Sequence, residues 1–120
     1  MHALFDSNIL IDYLNGVDAA RLELARYESR SVSVITWIEV LAGAPADAEP
    51  ETCAFLDEFN QIGIDPRIAQ RAVSLRREKR LRLADAVILA TALERGLLLV
   101  TRNVRDFDPD LPSVRMPYSV

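Results

Sequence analysis

The chain has 120 residues, 50% apolar and 27% charged, which fits one compact domain with one core and excludes a low-complexity or disordered chain. No apolar run approaches the roughly 20 residues of a membrane-spanning helix, and a single cysteine, Cys53, excludes an internal disulfide and a multi-cysteine zinc site. The formal charge of −4 argues on its face against a nucleic-acid partner, although the distribution of charge matters more than its sum.

Taken in chain order, Ala3 to Asp6 predicts a short buried strand, and the N-terminal residues carry no basic start or long apolar stretch of an export signal. A reducing, cytoplasmic setting is therefore expected. Ser7 and Asn8 offer N-cap chemistry for a helix over Ile9 to Leu14, with Gly16 as its stop. Asp18 to Ser29 has helical spacing through Ala19, Leu22, Ala25 and Arg26. Ser31 to Ile35 reads as a second strand, after which Thr36 can cap a helix over Trp37 to Ala42 that Gly43-Ala44-Pro45 ends. A helix from about Pro50 to Phe59 buries Cys53, Phe55 and Leu56, and Ile62 to Ile64 predicts a short strand.

Pro66 then opens a long helix to about Lys79, in the first-turn position that proline tolerates. Leu83 to Arg95 is apolar on most sides and so predicts a central helix, with Gly96 as its C-cap. Leu97 to Val100 is the wholly apolar run of an interior parallel strand, and Val114 to Met116 allows a short edge strand. Strands alternating with helices predict a three-layer α/β/α fold with a mainly parallel central sheet, in one domain over residues 1–120.

Four acids sit at the ends of apolar runs: Asp6, Glu39, Asp85 and Asp106. One carboxylate buried alone raises its pKa, and several together repel, whereas a shared divalent cation removes both penalties. Oxygen ligands of this kind select Mg²⁺ or Mn²⁺. Asp6 and Thr101 would lie just past strand carboxyl ends, with Glu39 and Asp85 in early helical turns, so all can converge where parallel sheets bind ligands. Half of the 14 basic residues fall between Arg67 and Arg82, and 13 of the 14 are arginine, the side chain suited to phosphate. By contrast, Asp12 reads as a solvated helix face, Trp37 as core or dimer interface, Cys53 as a small core residue, and His2 as remote from any chemistry.

The segments Leu4-Phe5-Asp6-Ser7-Asn8-Ile9-Leu10-Ile11-Asp12-Tyr13-Leu14, Ile35-Thr36-Trp37-Ile38-Glu39-Val40-Leu41-Ala42-Gly43, Asp85-Ala86-Val87-Ile88-Leu89-Ala90-Thr91-Ala92 and Leu99-Val100-Thr101-Arg102-Asn103-Val104-Arg105-Asp106-Phe107, in this order, resemble the PIN-domain ribonucleases of the VapC toxin type. Each is weak alone; jointly they span nearly the whole chain. The resemblance implies a PIN-like fold, metal-dependent cleavage of RNA, inhibition by a cognate antitoxin and a homodimer. It places Asp6, Glu39 and Asp85 on the core acidic positions, Asp106 on the less constant fourth, and Asn8, Thr101 and Asn103 beside them. The chain departs from it at Ala84, where proline is common, and the fourth ligand stays open between Asp106 and the nearby Asp108, with Asn103 where some relatives carry an acid. Arg80 and Arg82 are expected to contact the RNA backbone.

Two other classes are weaker. A phosphoacceptor domain needs a lysine near its acidic pocket, and the one lysine, Lys79, lies in the basic helix; a haloacid-dehalogenase-type phosphatase needs a second acid where Asn8 stands. A catalytically inactive PIN-fold RNA-binding or scaffold module is the remaining alternative, opposed by the retained acids.

Overall fold

A computed structural model describes residues 2–119. In chain order the elements are β1 (His2–Phe5), α1 (Ser7–Leu14), α2 (Asp18–Ala25), β2 (Ser29–Ser33), α3 (Val34–Gly43), a 3-10 turn (Ala46–Ala48), α4 (Glu49–Leu56), β3 (Asn60–Ile62), α5 (Pro66–Lys79), α6 (Leu83–Arg95), β4 (Leu98–Val100) and β5 (Val114–Arg115). The strands form one sheet in the order β3-β2-β1-β4-β5, and every neighbouring pair is parallel.

The layering follows from the handedness of parallel crossovers. The chain steps outward from β1 to β2 to β3 through α1–α4, then returns to β4 on the far side of β1 through α5 and α6. Right-handed connections running in opposite directions must use opposite faces of a sheet. Accordingly Ala3, Phe5, Val32 and Val100 pack under α1–α4, while Leu4, Leu99 and Val114 pack under α5 and α6. The alternation of Ala3, Leu4 and Phe5 between the two cores is the two-residue period of a strand buried on both faces. Phe5 anchors the first core edge-on to Tyr27 and Phe59, at centroid separations of 5.5 and 6.1 Å. Burying such a ring contributes roughly 1.5–3 kcal/mol.

The second core is built around α6, whose residues from Ala86 to Ala92 are all buried, as its apolar composition predicts. It ends at Gly96, whose φ of 63° is the left-handed C-cap that glycine adopts without strain. The α5–α6 link is tighter: Arg80 takes the same conformation, φ 57°, without glycine's freedom.

Several sequence-based boundaries move. The second helix stops at Ala25 rather than Ser29, because Ser29–Ser33 is drawn into the ladders with β1 and β3. Its buried residues are Ala20, Glu23 and Leu24, while Leu22 is 54% exposed, so its inner face is rotated from the one apolar spacing predicts. β3 comes two residues early because Ser31 and Ser33 register with Asn60 and Ile62; as an edge strand it keeps polar residues in solvent. Helix α3 is capped by Ser33, whose hydroxyl accepts from the Ile35 amide at 3.1 Å; Thr36 lies fully buried, its Oγ1 without a partner among the described residues. Cys53 is half-buried, and Trp37 packs partly buried against the first core.

Candidate active site

Strand order reverses between β1 and β4, and at such a switch point the carboxyl ends of parallel strands open a crevice. Asp6 leaves β1 there and Thr101 leaves β4. The Asp6 amide donates to the Val100 carbonyl at 3.0 Å and the Thr101 amide to that of Arg115 at 3.0 Å, so the ladders fix both residues. Asp6 is buried and fully engaged. Its Oδ1 accepts from the Ser7 amide at 2.8 Å, and its Oδ2 accepts from the Thr101 hydroxyl at 2.8 Å and the Asn8 side-chain amide at 3.2 Å. The N-cap of α1 is therefore Asp6 itself, not Ser7 or Asn8.

The same network runs into the loop after β4. Thr101 Oγ1 accepts from the Asn103 backbone amide at 3.1 Å, and Asn103 Nδ2 donates to Asp106 Oδ2 at 3.0 Å. Asn103 Oδ1 accepts from the Arg105 and Asp106 amides, each at 3.2 Å, which turns the loop back so that Asp106 faces Asp85. Asp108 is exposed and accepts from the Asp110 amide at 2.9 Å, closing its own turn.

Electrostatics set these carboxylates apart. Among the described residues, no ion pair involves Asp6, Glu39, Asp85 or Asp106. Burial pushes the Asp6 carboxyl up despite the hydrogen bonds of Thr101, Ser7 and Asn8. Glu39 is exposed as a residue, but partial desolvation of its carboxyl and the charge of Asp6 raise its pKa against a Ser7 hydrogen bond. Asp85, in the first turn of α6, is pushed up to about 6 by burial, then by Asp6, Asp106 and Glu39. Asp106 is held low, first by Asn103 and more weakly by Asp85, Arg82 and Arg105.

The PIN domain family model matches residues 3–108. Ribonuclease VapC10 of Mycobacterium tuberculosis is 34% identical over 125 residues, covering 98% of this chain and 93% of the relative. A chain of a toxin–antitoxin complex from Klebsiella pneumoniae superposes with a TM-score of 0.93 and 45% identity, over 98% of this chain and 99% of that one. FitAcB from Neisseria gonorrhoeae, at TM-score 0.81, 20% identity, and coverage of 98% and 99%, shares the fold. The chain belongs to the PIN-domain family, VapC type.

A PIN-domain frame explains why four acids distant in sequence share one crevice: two follow strands β1 and β4, and two ride the helices α3 and α6 beside them. Among the described residues, no three acidic side chains already stand within one ion's ligand shell. The donor set nonetheless fits a hard divalent cation, since like charges crowd Asp85, no ion pair among the described residues neutralises the four acids, and the Asp6 oxygens are oriented by three donors. Arg82 lies at the N-terminus of α6 with its charge felt at Asp106, whereas Arg80 is an exposed C-cap of α5 with no contact to the acids in the described hydrogen bonds.

Sequence reasoning missed three participants. Ser7 and Arg105 act on Glu39 and Asp106, and nothing in their local pattern signals it. Asp12 is the larger correction. It is buried, not solvated: Arg102 grips it through two nitrogens at 2.6 and 3.0 Å, and the Tyr118 hydroxyl donates to it at 2.9 Å. The signal was available only as a spacing, since Asn8 and Asp12 lie one helical turn apart on the side that meets the loop after β4.

Proposed function

We propose that this PIN-domain chain is a Mg²⁺- or Mn²⁺-dependent ribonuclease acting as the toxin of a toxin–antitoxin pair, in the cytoplasm. The observation that carries the reading is the crevice at the β1/β4 switch point, where burial raises Asp6, neighbouring acids add to the rise at Glu39 and Asp85, and none of the four carboxylates forms an ion pair among the described residues. That a 34% identical relative is a ribonuclease and a 45% identical chain belongs to a toxin–antitoxin complex supports the chemistry and the partner.

In this reading Asp6, Glu39, Asp85 and Asp106 hold the cation. The bound ion supplies activation of water and neutralisation of charge at the scissile phosphate. Asp6 is the fixed ligand, because Ser7, Asn8 and Thr101 hold both of its oxygens and leave it no free rotamer. Asp85, its carboxyl pushed up to about 6 by burial and the neighbouring acids, must ionise for the site to load. Asn103 orients Asp106. No imidazole serves as general base, since His2, the one histidine, starts β1 at the opposite end of the strand from Asp6. Arg82, Arg105 and, farther out, Arg80 offset the repulsion between the acidic crevice and the RNA backbone, favouring an unpaired strand such as a loop.

The partner surface is apolar. Ile11, Leu14 and Ile38 are 40%, 42% and 50% exposed, and a groove between α1 and α3 is lined by Ile11, Leu14, Val40 and Pro45. These helices carry both the antitoxin groove and the homodimer contact in our reading, with a basic antitoxin side chain opposing the four acids. Purified protein tests the function directly. Cleavage of end-labelled structured RNAs requires added Mn²⁺ and disappears in Asp6→Asn; cleavage of equal rate without metal, or by the variant, would contradict the reading.

A further inference from the structure

The Asp12–Arg102 pair occupies a position that its strength alone does not explain. Asp12 lies on α1, two turns into the helix whose N-cap is Asp6. Arg102 follows Thr101 and begins the loop that carries Asn103 and Asp106. The pair is bidentate, the planar match between guanidinium and carboxylate that fixes both distance and rotation. Its backbone is tied in as well: the Arg102 amide donates to Asn8 Oδ1 at 3.3 Å, while Asn8 Nδ2 donates to Asp6 and to Thr101 Oγ1, the latter at 3.3 Å. One unbroken path therefore runs from Tyr118 through Asp12, Arg102 and Asn8 to Asp6, and from Thr101 through Asn103 to Asp106.

We infer that Asp12 and Arg102, locked by Tyr118, are positioning residues that set the rotation of α1 against the loop after β4 and thereby the separation of Asp6 from Asp106. The β1–β4 ladder and the first core join the two walls of the crevice up to Asp6 and Val100. Beyond the strand ends, the side-chain hydrogen bonds that link α1 to the loop after β4, the Asp12–Arg102 pair aside, are those of Asp6, Asn8 and Thr101. Those side chains are short and sit at the site, so an independent clamp one helical turn away is what resists a twist of the helix. Arg102 is one-third exposed, so removal of its partner leaves the guanidinium in water rather than buried and unpaired. Asp12→Asn is for that reason the informative variant.

A second buried pair provides the control. Glu23 on α2 is gripped by Arg115 of β5 at 2.8 and 3.0 Å, and Tyr27 donates to it at 2.7 Å. It has the same chemistry and comparable burial, and its side chains make no hydrogen bond to any crevice residue; the pair touches the crevice only through the Arg115 carbonyl, which accepts from the Thr101 amide in the sheet ladder. A structural role shared by all buried ion pairs would make Asp12→Asn and Glu23→Gln behave alike.

The proposal rests on the metal-dependent reading for its consequence and on geometry for its content, so two readouts separate them. The first is amide hydrogen exchange of the metal-free protein, followed by NMR. In Asp12→Asn the Arg102 and Asn103 amides, which donate to Asn8 and Thr101, exchange at least about tenfold faster than in wild type while amides in β2 and α6 keep wild-type rates, whereas Glu23→Gln leaves the Arg102 and Asn103 amides at wild-type protection. Asp12→Glu, which keeps the charge, restores part of the protection. The second is Mn²⁺ affinity by calorimetry, which falls roughly tenfold to a hundredfold in Asp12→Asn, the range for loss of an orienting outer-shell partner, and stays within twofold in Glu23→Gln. Unchanged exchange at Arg102 and Asn103 in Asp12→Asn, or equal loss there in Glu23→Gln, overturns the positioning role. Failure of the wild type to bind Mn²⁺ overturns the metal reading alone, leaving the exchange result to decide the clamp.

Discussion

The molecule carries two kinds of desolvated acid, and a counter-charge distinguishes them. Asp12 and Glu23 each face an arginine and a tyrosine. Arg102 holds the Asp12 carboxyl below its ordinary range, and for Glu23 burial pulls upward but Arg115 and Tyr27 outweigh it. Among the described residues, Asp6, Glu39 and Asp85 have no such partner in their crevice, and burial drives all three the other way. The chain has enough arginine to neutralise the crevice, yet places two of them on carboxylates a short distance away. A paired carboxylate contributes to the fold. An unpaired set destabilises the fold, and in the proposed function a cation would relieve that cost.

The largest expected effect is on chemistry. Asp6→Asn should lower RNA cleavage beyond the roughly hundredfold that loss of an orienting outer-shell partner costs, measured at saturating Mn²⁺. Next in size is the cost of breaking a clamp from its exposed side. Arg115→Ala leaves buried Glu23 with only the more distant Arg26, at 3.8 Å, as counter-ion and should cost about 3 kcal/mol in chemical denaturation, with the Mn²⁺ affinity of the folded fraction unchanged.

The two regions should also respond to pH with opposite sign. Asp85 has a folded pKa of about 6, above its ordinary 3.8, so the folded state binds its proton more tightly. Its contribution is present below the ordinary value and is lost as pH rises through about 6. Asp12 and Glu23 are depressed, so their contribution is present above ordinary carboxyl values and is lost as pH falls through the folded values. Metal-free Asp85→Asn should therefore melt several degrees above wild type at pH 7.5, with the gap closing below pH 5. Glu23→Gln should melt below wild type at pH 7.5 and approach it in acid. Scanning calorimetry at the two pH values checks both, and parallel responses would erase the difference between the two kinds of acid. The smallest effect concerns the rim. Reversing the charges of Arg80 and Arg82 should lower the salt slope of RNA binding by about one for each phosphate no longer neutralised, without shifting the melting temperature.

The sequence carried the frame well where period and punctuation act locally. Pro66 to Lys79 begins and ends as the proline position and basic run predict, and the buried stretch of α6 follows from its continuous apolar composition. It singled out Asp6, Glu39 and Asp85 as candidates because each ends or interrupts an apolar run, which is costly without a purpose, and Asp106 because it follows such a run after a polar turn. It failed where a polar residue is buried by a partner distant in the chain. Asp12 and Glu23 meet Arg102 and Arg115 across 90 and 92 residues, and each looks like an ordinary solvated acid within its own helix. The inner face of α2 is displaced for the same reason, since burial of Glu23 is decided by Arg115 and Tyr27, not by apolar spacing. Ser33 outcompeted Thr36 as cap because β2 runs straight into α3, leaving no loop between them.

If a divalent cation supplies the missing counter-charge in the β1/β4 crevice, Mn²⁺ titration by calorimetry shows it in three proteins: wild type, Asp6→Asn and Glu23→Gln. Saturable binding with a raised melting temperature is expected in wild type, with the same affinity in Glu23→Gln. A large loss is expected in Asp6→Asn, which without metal melts at or above wild type. Equal Mn²⁺ affinity in wild type and Asp6→Asn would contradict a cation held by these acids.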